Sequence, residues 1–119
     1  MKYLWVMIVA ASGVALGQDV YVGYVSDSGC ALARASGGRY TPTNPDCARR
    51  CIKEGKSIVL ISPEKKVVFR IDNPAALRTQ IGNKVQVYGA STGTHRLHVE
   101  KVVFLEKTNP ECERPPLKE

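Results

Sequence analysis

The chain has 119 residues, 44% of them hydrophobic and 24% charged, which suits one small globular domain and excludes a disordered or low-complexity chain. Its net charge of +6, from 17 basic and 11 acidic side chains, is mild and scattered, with no run of five or more like charges. That excludes a polybasic nucleic-acid tail; solubility explains the excess, and weak attraction to anionic polysaccharide or lipid headgroups is the alternative.

Residues 1–17 read as a signal peptide. Lys2 supplies a positive start, Leu4 to Ala11 an apolar stretch, and Ala15-Leu16-Gly17 a small-residue cleavage site. The apolar stretch is too short to span a bilayer, which takes about 20 residues. No cysteine sits at the cleavage point, which argues against a lipid anchor, and no later segment reads as a transmembrane helix. The expected product is secreted or periplasmic. It comprises one domain over 18–106 and a Pro-, Glu- and Lys-rich tail over 107–119, loose except where Cys112 ties it down.

Val20 to Val25, β-branched and aromatic, predicts a first strand, with Gly23 marking a bulge or close backbone approach. Ser26 to Pro45 reads as a long polar connection bracketed by Cys30 and Cys47, with Ser26-Asp27-Ser28 capping its start. Asn44-Pro45-Asp46 starts a helix that Gly55 stops, with Ala48, Cys51 and Ile52 inward and Arg49, Arg50 and Lys53 wet. Ser57 to Ile61 and Val67 to Ile71 form a hairpin around Pro63-Glu64-Lys65-Lys66. Asn73-Pro74 repeats the helix-start chemistry, Leu77 and Ile81 share a face, and Gly82 ends the helix. Lys84 to Ala90 is a fourth strand, Ser91 to Thr94 a turn, and Arg96 to Leu105 a fifth strand. Alternation in that last strand slips from Leu97 and Val99 to Val102 and Phe104 across Glu100-Lys101, as a β-bulge would make it. This order predicts a mostly β protein, a five-stranded OB-like Greek-key barrel with a short helix in the strand 1–2 connection and another helix between strands 3 and 4. An open sheet with two helices on one face is the rival.

All four cysteines, Cys30, Cys47, Cys51 and Cys112, follow the signal peptide, and an even number in an exported domain predicts two disulfides. On one helix Cys47 and Cys51 lie roughly 6 Å apart along the axis. A disulfide needs Cβ atoms about 3.8 Å apart. Cys30 therefore pairs with Cys47 or Cys51, and Cys112 takes the other.

Gly23 to Cys30, then Asp46 to Gly55 and the run to Leu60, resemble a family of small exported bacterial proteins. Its members carry a Ser-Asp-Ser-x-Cys motif, then Cys-x-x-x-Cys before glycine and a strand. The likeness continues through Val85 to Gly89. It implies an OB-like barrel and an exported location, and supplies no activity. Members often have glycine after the first cysteine and a histidine shortly after; here Ala31 stands there and no histidine lies near Arg34. If that family's cysteines and histidine bind a metal, this chain lacks a ligand.

No catalytic grouping is legible: no histidine lies near Asp27 in sequence, and no nucleophile elbow exists. The cluster Cys30, Cys47 and Cys51 could hold a metal or act as a redox centre, with His95, His98 or Cys112 as fourth ligand. The spacing matches no standard zinc pattern, and the C-x-x-C spacing of thiol oxidoreductases is missing. His95 and His98, three apart on a strand, point to opposite faces. The expectation is a non-catalytic binding or structural module without a cofactor. The OB face and its flanking loops would place a ligand, anionic or from the cell envelope, near Arg39, Tyr40, Arg49, Arg70 and His95. Nucleic acid is a poor partner, because Phe69, the one aromatic on that face, belongs to the core.

Overall fold

The computed structural model describes residues 19–108. Residues 1–17, read as a signal peptide from the sequence, and the cysteine at position 112 lie outside that range. Among the described residues no helix is long and apolar enough to cross a membrane.

Five strands form a closed barrel: β1 (Asp19–Asp27), β2 (Ile58–Ser62), β3 (Val67–Ile71), β4 (Asn83–Gly93) and β5 (Arg96–Lys107). Around the barrel they run β1-β2-β3-β5-β4 and back to β1. Every pairing is antiparallel except β3 with β5. Between β1 and β2 lie α1 (Ser28–Ser36) and α2 (Pro45–Lys53), and a 3₁₀ helix (Pro74–Gln80) joins β3 to β4. This is the OB-like arrangement expected from the element order, not the open sheet.

Closure depends on β1 serving two neighbours. Its first residues, Asp19 to Tyr24, pair with β4, and Tyr24 to Asp27 pair with β2. At the changeover a Cβ on Gly23 would overlap the Ile61 carbonyl oxygen, so only glycine lets the backbones come this close. The bulge expected at Glu100-Lys101 is present: Tyr88 faces Lys101 while Gly89 faces Val99, leaving Glu100 as the extra residue.

Leu60, Phe69, Val85, Val87 and Leu97 fill the barrel interior, and Leu77 of the 3₁₀ helix is fully buried against them. A second cluster, Ala31, Val59, Ile61 and Val68, lies outside the barrel wall under α1. β2 is therefore buried on both faces, which is why its sequence is a continuous apolar run rather than an alternation.

Three expectations are corrected. Ser28–Ser36 is a helix, not open connection. Asn73 makes no cap bond. Its side-chain amide instead donates to Val99 O (2.7 Å) and accepts from Val99 N (2.8 Å). β3 ends at Ile71, so the β5 backbone at Val99 has no strand partner on that side, and the amide stands in for one. Phe104, read as inward, is 53% exposed. There β5 pairs with β4 alone, having passed the end of β3, so the slip that restores alternation no longer points into a closed interior.

Candidate functional site

Asp27 ends β1 and begins α1. Its Oδ2 accepts the Cys30 N–H at 3.0 Å, capping the helix. Ala31, Leu32, Ala33 and Ala35 supply helix propensity. The first turn of α1 is tied to the link leading into β2: Ser28 N donates to Ser57 O (2.7 Å), and Ser57 N donates to Ser28 Oγ (3.1 Å). At the other end the Arg34 guanidinium donates to Thr41 Oγ1 (3.2 Å) and Pro42 O (2.6 Å), folding the connection back along the helix. Thr43, buried, hydrogen-bonds Ser26 of β1. Asn44 then caps α2 as expected, its Oδ1 accepting from Asp46 N (2.9 Å) and Cys47 N (3.1 Å), with Pro45 in the first turn.

These ties leave a cleft of about 420 Å³ between α1, α2 and their connection. Among the described residues its lining includes Arg34, Arg39, Arg50 and Glu54, and Cys30, Cys47 and Cys51 are part of its wall.

Beside the cleft, Cys30 and Cys51 carry free thiols 4.1 Å apart. Donor atoms of Asp27, Cys30 and Cys51 all lie within 4.8 Å of one another. Asp27 is fully buried, and its Oδ1 has no hydrogen-bond partner among the described residues. Gly29 keeps this corner open, since a Cβ there would stand 3.0 Å from Asp27 Oδ2. Burial pushes the Cys30 thiol up to about 12, helped by the charge and hydrogen bonding of Asp27 and then by Cys51.

A raised thiol pKa means that the native state keeps a proton which the unfolded chain releases. Its contribution to stability is therefore present below pH 9 and is lost as pH rises towards 12. In the dithiol form at pH 8, iodoacetamide should modify Cys30 at least tenfold more slowly than an unstructured peptide thiol, because the thiolate is the nucleophile. Peptide-resolved mass spectrometry reads the rate; modification at the peptide rate would show that burial leaves the thiol unperturbed.

The structure separates the residues that the sequence analysis grouped. Arg39 lines the cleft, and Tyr40 packs against the outer cluster. Arg49 lies on the exposed side of α2 in an ion pair with Asp46 (3.1 Å). Arg70 and His95 meet elsewhere, at the β3 edge, where Arg70 N donates to His95 O (2.7 Å). His98 lies on β5, 3.5 Å from Glu100. Of the three cysteines weighed as ligands, Cys30 and Cys51 come together, and Cys47 is disulfide-bonded. Sequence reasoning missed Asp27 as the third donor and Arg34 and Arg50 as cleft residues. The cap motif Ser26-Asp27-Ser28 was a signal for Asp27; Arg34 and Arg50 had none, because the missed helix α1 places the cleft.

Against protein-family models, curated proteins and solved structures, the chain has no match.

Proposed function

We infer that the chain is an exported, non-catalytic binding module that uses an OB-like barrel as scaffold and takes an anionic ligand in the cleft between α1 and α2. The observation that supports this is the basic lining of the cleft, where Arg34, Arg39 and Arg50 stand with Glu54 among the described residues. Guanidinium forks suit carboxylate and phosphate oxygens, and a concave wall strengthens their field. Kinship with the Ser-Asp-Ser-x-Cys family is part of the same reading and fits a barrel carried outside the cytoplasm. In the oxidised form we expect Cys30 bonded to Cys51 and Cys47 to Cys112, the arrangement left when the two free thiols that stand 4.1 Å apart are joined.

The test is an NMR titration of the exported chain with inorganic phosphate and with a short uronic-acid oligosaccharide. Amide shifts should map to Cys30, Arg39, Thr43 and Arg50, and affinity should fall as salt rises. Arg50→Ala should weaken binding at least fivefold, while Arg70→Ala leaves it unchanged. Shifts centred on Arg70 and His95 would move the site to the β3 edge and overturn the reading. A second reading, chemistry at the thiols themselves, is favoured by the Asp27, Cys30 and Cys51 grouping.

A further inference from the structure

We propose that Asp27, Cys30 and Cys51 form, in the dithiol protein, a binding site for a divalent cation of zinc type, with one coordination position open to the cleft. This goes beyond the anion reading and stands without it.

The donor set comes first. Two sulfurs and one carboxylate oxygen are ligands that zinc accepts, and three protein ligands with one open position is the pattern of an accessible zinc centre. Spacing agrees. Zinc–sulfur bonds of about 2.3 Å in a tetrahedron hold two sulfurs roughly 3.8 Å apart. Cys30 and Cys51 stand 4.1 Å apart, and all three donors lie within 4.8 Å of one another. Small side-chain rotations would bring them onto one centre.

Asp27 is the independent observation. It is fully buried, one oxygen is used in capping α1, and Oδ1 has no partner among the described residues. A buried carboxylate oxygen without a donor is costly. A cation held by this carboxylate and the two sulfurs would compensate its buried charge. The ligands also sit on ordered elements: the end of β1, the first turn of α1 and the last turn of α2. The Ser28 and Ser57 hydrogen bonds hold the start of α1 against the segment that follows α2. Two thiolates and a carboxylate overcompensate a divalent ion by one charge, and the arginines along the cleft offset that surplus. Binding releases the two thiol protons, so affinity rises with pH. When the two sulfurs are bonded to each other they cannot ligate, so the site belongs to the dithiol form.

The experiment uses the exported chain, with free Cys30 and Cys51 verified by thiol titration, and Zn(II) and Co(II) as probes. One zinc per chain is expected by elemental analysis. Co(II) should give tetrahedral ligand-field bands with sulfur-to-metal charge transfer. Asp27→Asn keeps an oxygen to cap α1 and should weaken zinc binding at least tenfold. Cys30→Ser and Cys51→Ser should each lower the charge-transfer intensity by at least half, whereas Cys47→Ser leaves the stoichiometry at one. Circular dichroism on each variant separates loss of the site from loss of the fold. Absence of stoichiometric zinc in the dithiol protein, or wild-type affinity in a folded Asp27→Asn variant, overturns the site. Zinc failing with the phosphate response intact removes the metal site alone; the reverse removes the anion reading alone.

Discussion

Replacing Leu60 by alanine should lower the unfolding free energy by about 3–5 kcal/mol. Leu60 is fully buried at the middle of β2, between Val25 of β1 and Phe69 of β3 in register. Its side chain fills the barrel interior, which is closed on every side by hydrogen-bonded strands. Neighbours cannot move inward without breaking that wall, so the site relaxes little and the cavity remains. A domain of this size has only about 5–15 kcal/mol of stability, so the loss takes a large part of it. Phe104→Ser removes a larger side chain but an exposed one, and should change stability by less than about 0.5 kcal/mol. Urea unfolding of both variants checks the contrast through the midpoint, with the slope unchanged. A loss below about 1 kcal/mol at Leu60 would mean that the barrel can collapse around the gap.

Reduction of the oxidised protein is the second large effect expected. A bridge from Cys30 to Cys51 closes a loop that runs from the first turn of α1 to the last turn of α2, and by loop entropy contributes roughly 3 kcal/mol. A bridge from Cys47 to Cys112 closes a longer loop and contributes about 4 kcal/mol. Opening both should lower the melting temperature by more than about 10 °C, since each kcal/mol shifts a domain of this length by about 4–8 °C. Calorimetry with and without reductant measures it, and non-reduced peptide mapping reads the connectivity. An unchanged melting temperature would leave the barrel's own packing as the sole source of stability. A cross-linked peptide joining Cys30 to Cys47 would refute the pairing, because Cys51 and not Cys47 faces Cys30 across the cleft wall.

The barrel was legible because its signals are local. Strand alternation in β3, the polar hairpin at Pro63 to Lys66, and the helix start at Asn44-Pro45-Asp46 each act within a few residues, and each is found where it was expected. The slip at Glu100 was readable for the same reason: one extra residue on one face marks a bulge in either context. Helix α1 was not. Gly29 and Cys30 at its start and the glycines after it obscured a run of alanines. Its stability comes from covering the outer face of β2, a partner nearly thirty residues away in sequence. Asn73 shows the limit from another side. Before proline it reads as a helix cap, yet in the folded chain the same amide serves β5, because β3 is too short to do so.

By itself the sequence determined the number of strands, their order along the chain, the close backbone approach at Gly23 and the odd face of β5, all of which follow from side-chain periodicity and backbone sterics over a few neighbouring residues. Only the tertiary structure decided that Asp27, Cys30 and Cys51 share one corner and that Arg34, Arg39 and Arg50 share one cleft. Those groupings depend on how α1 and α2 pack against the barrel, and packing between distant segments leaves no periodic trace in the chain that carries it.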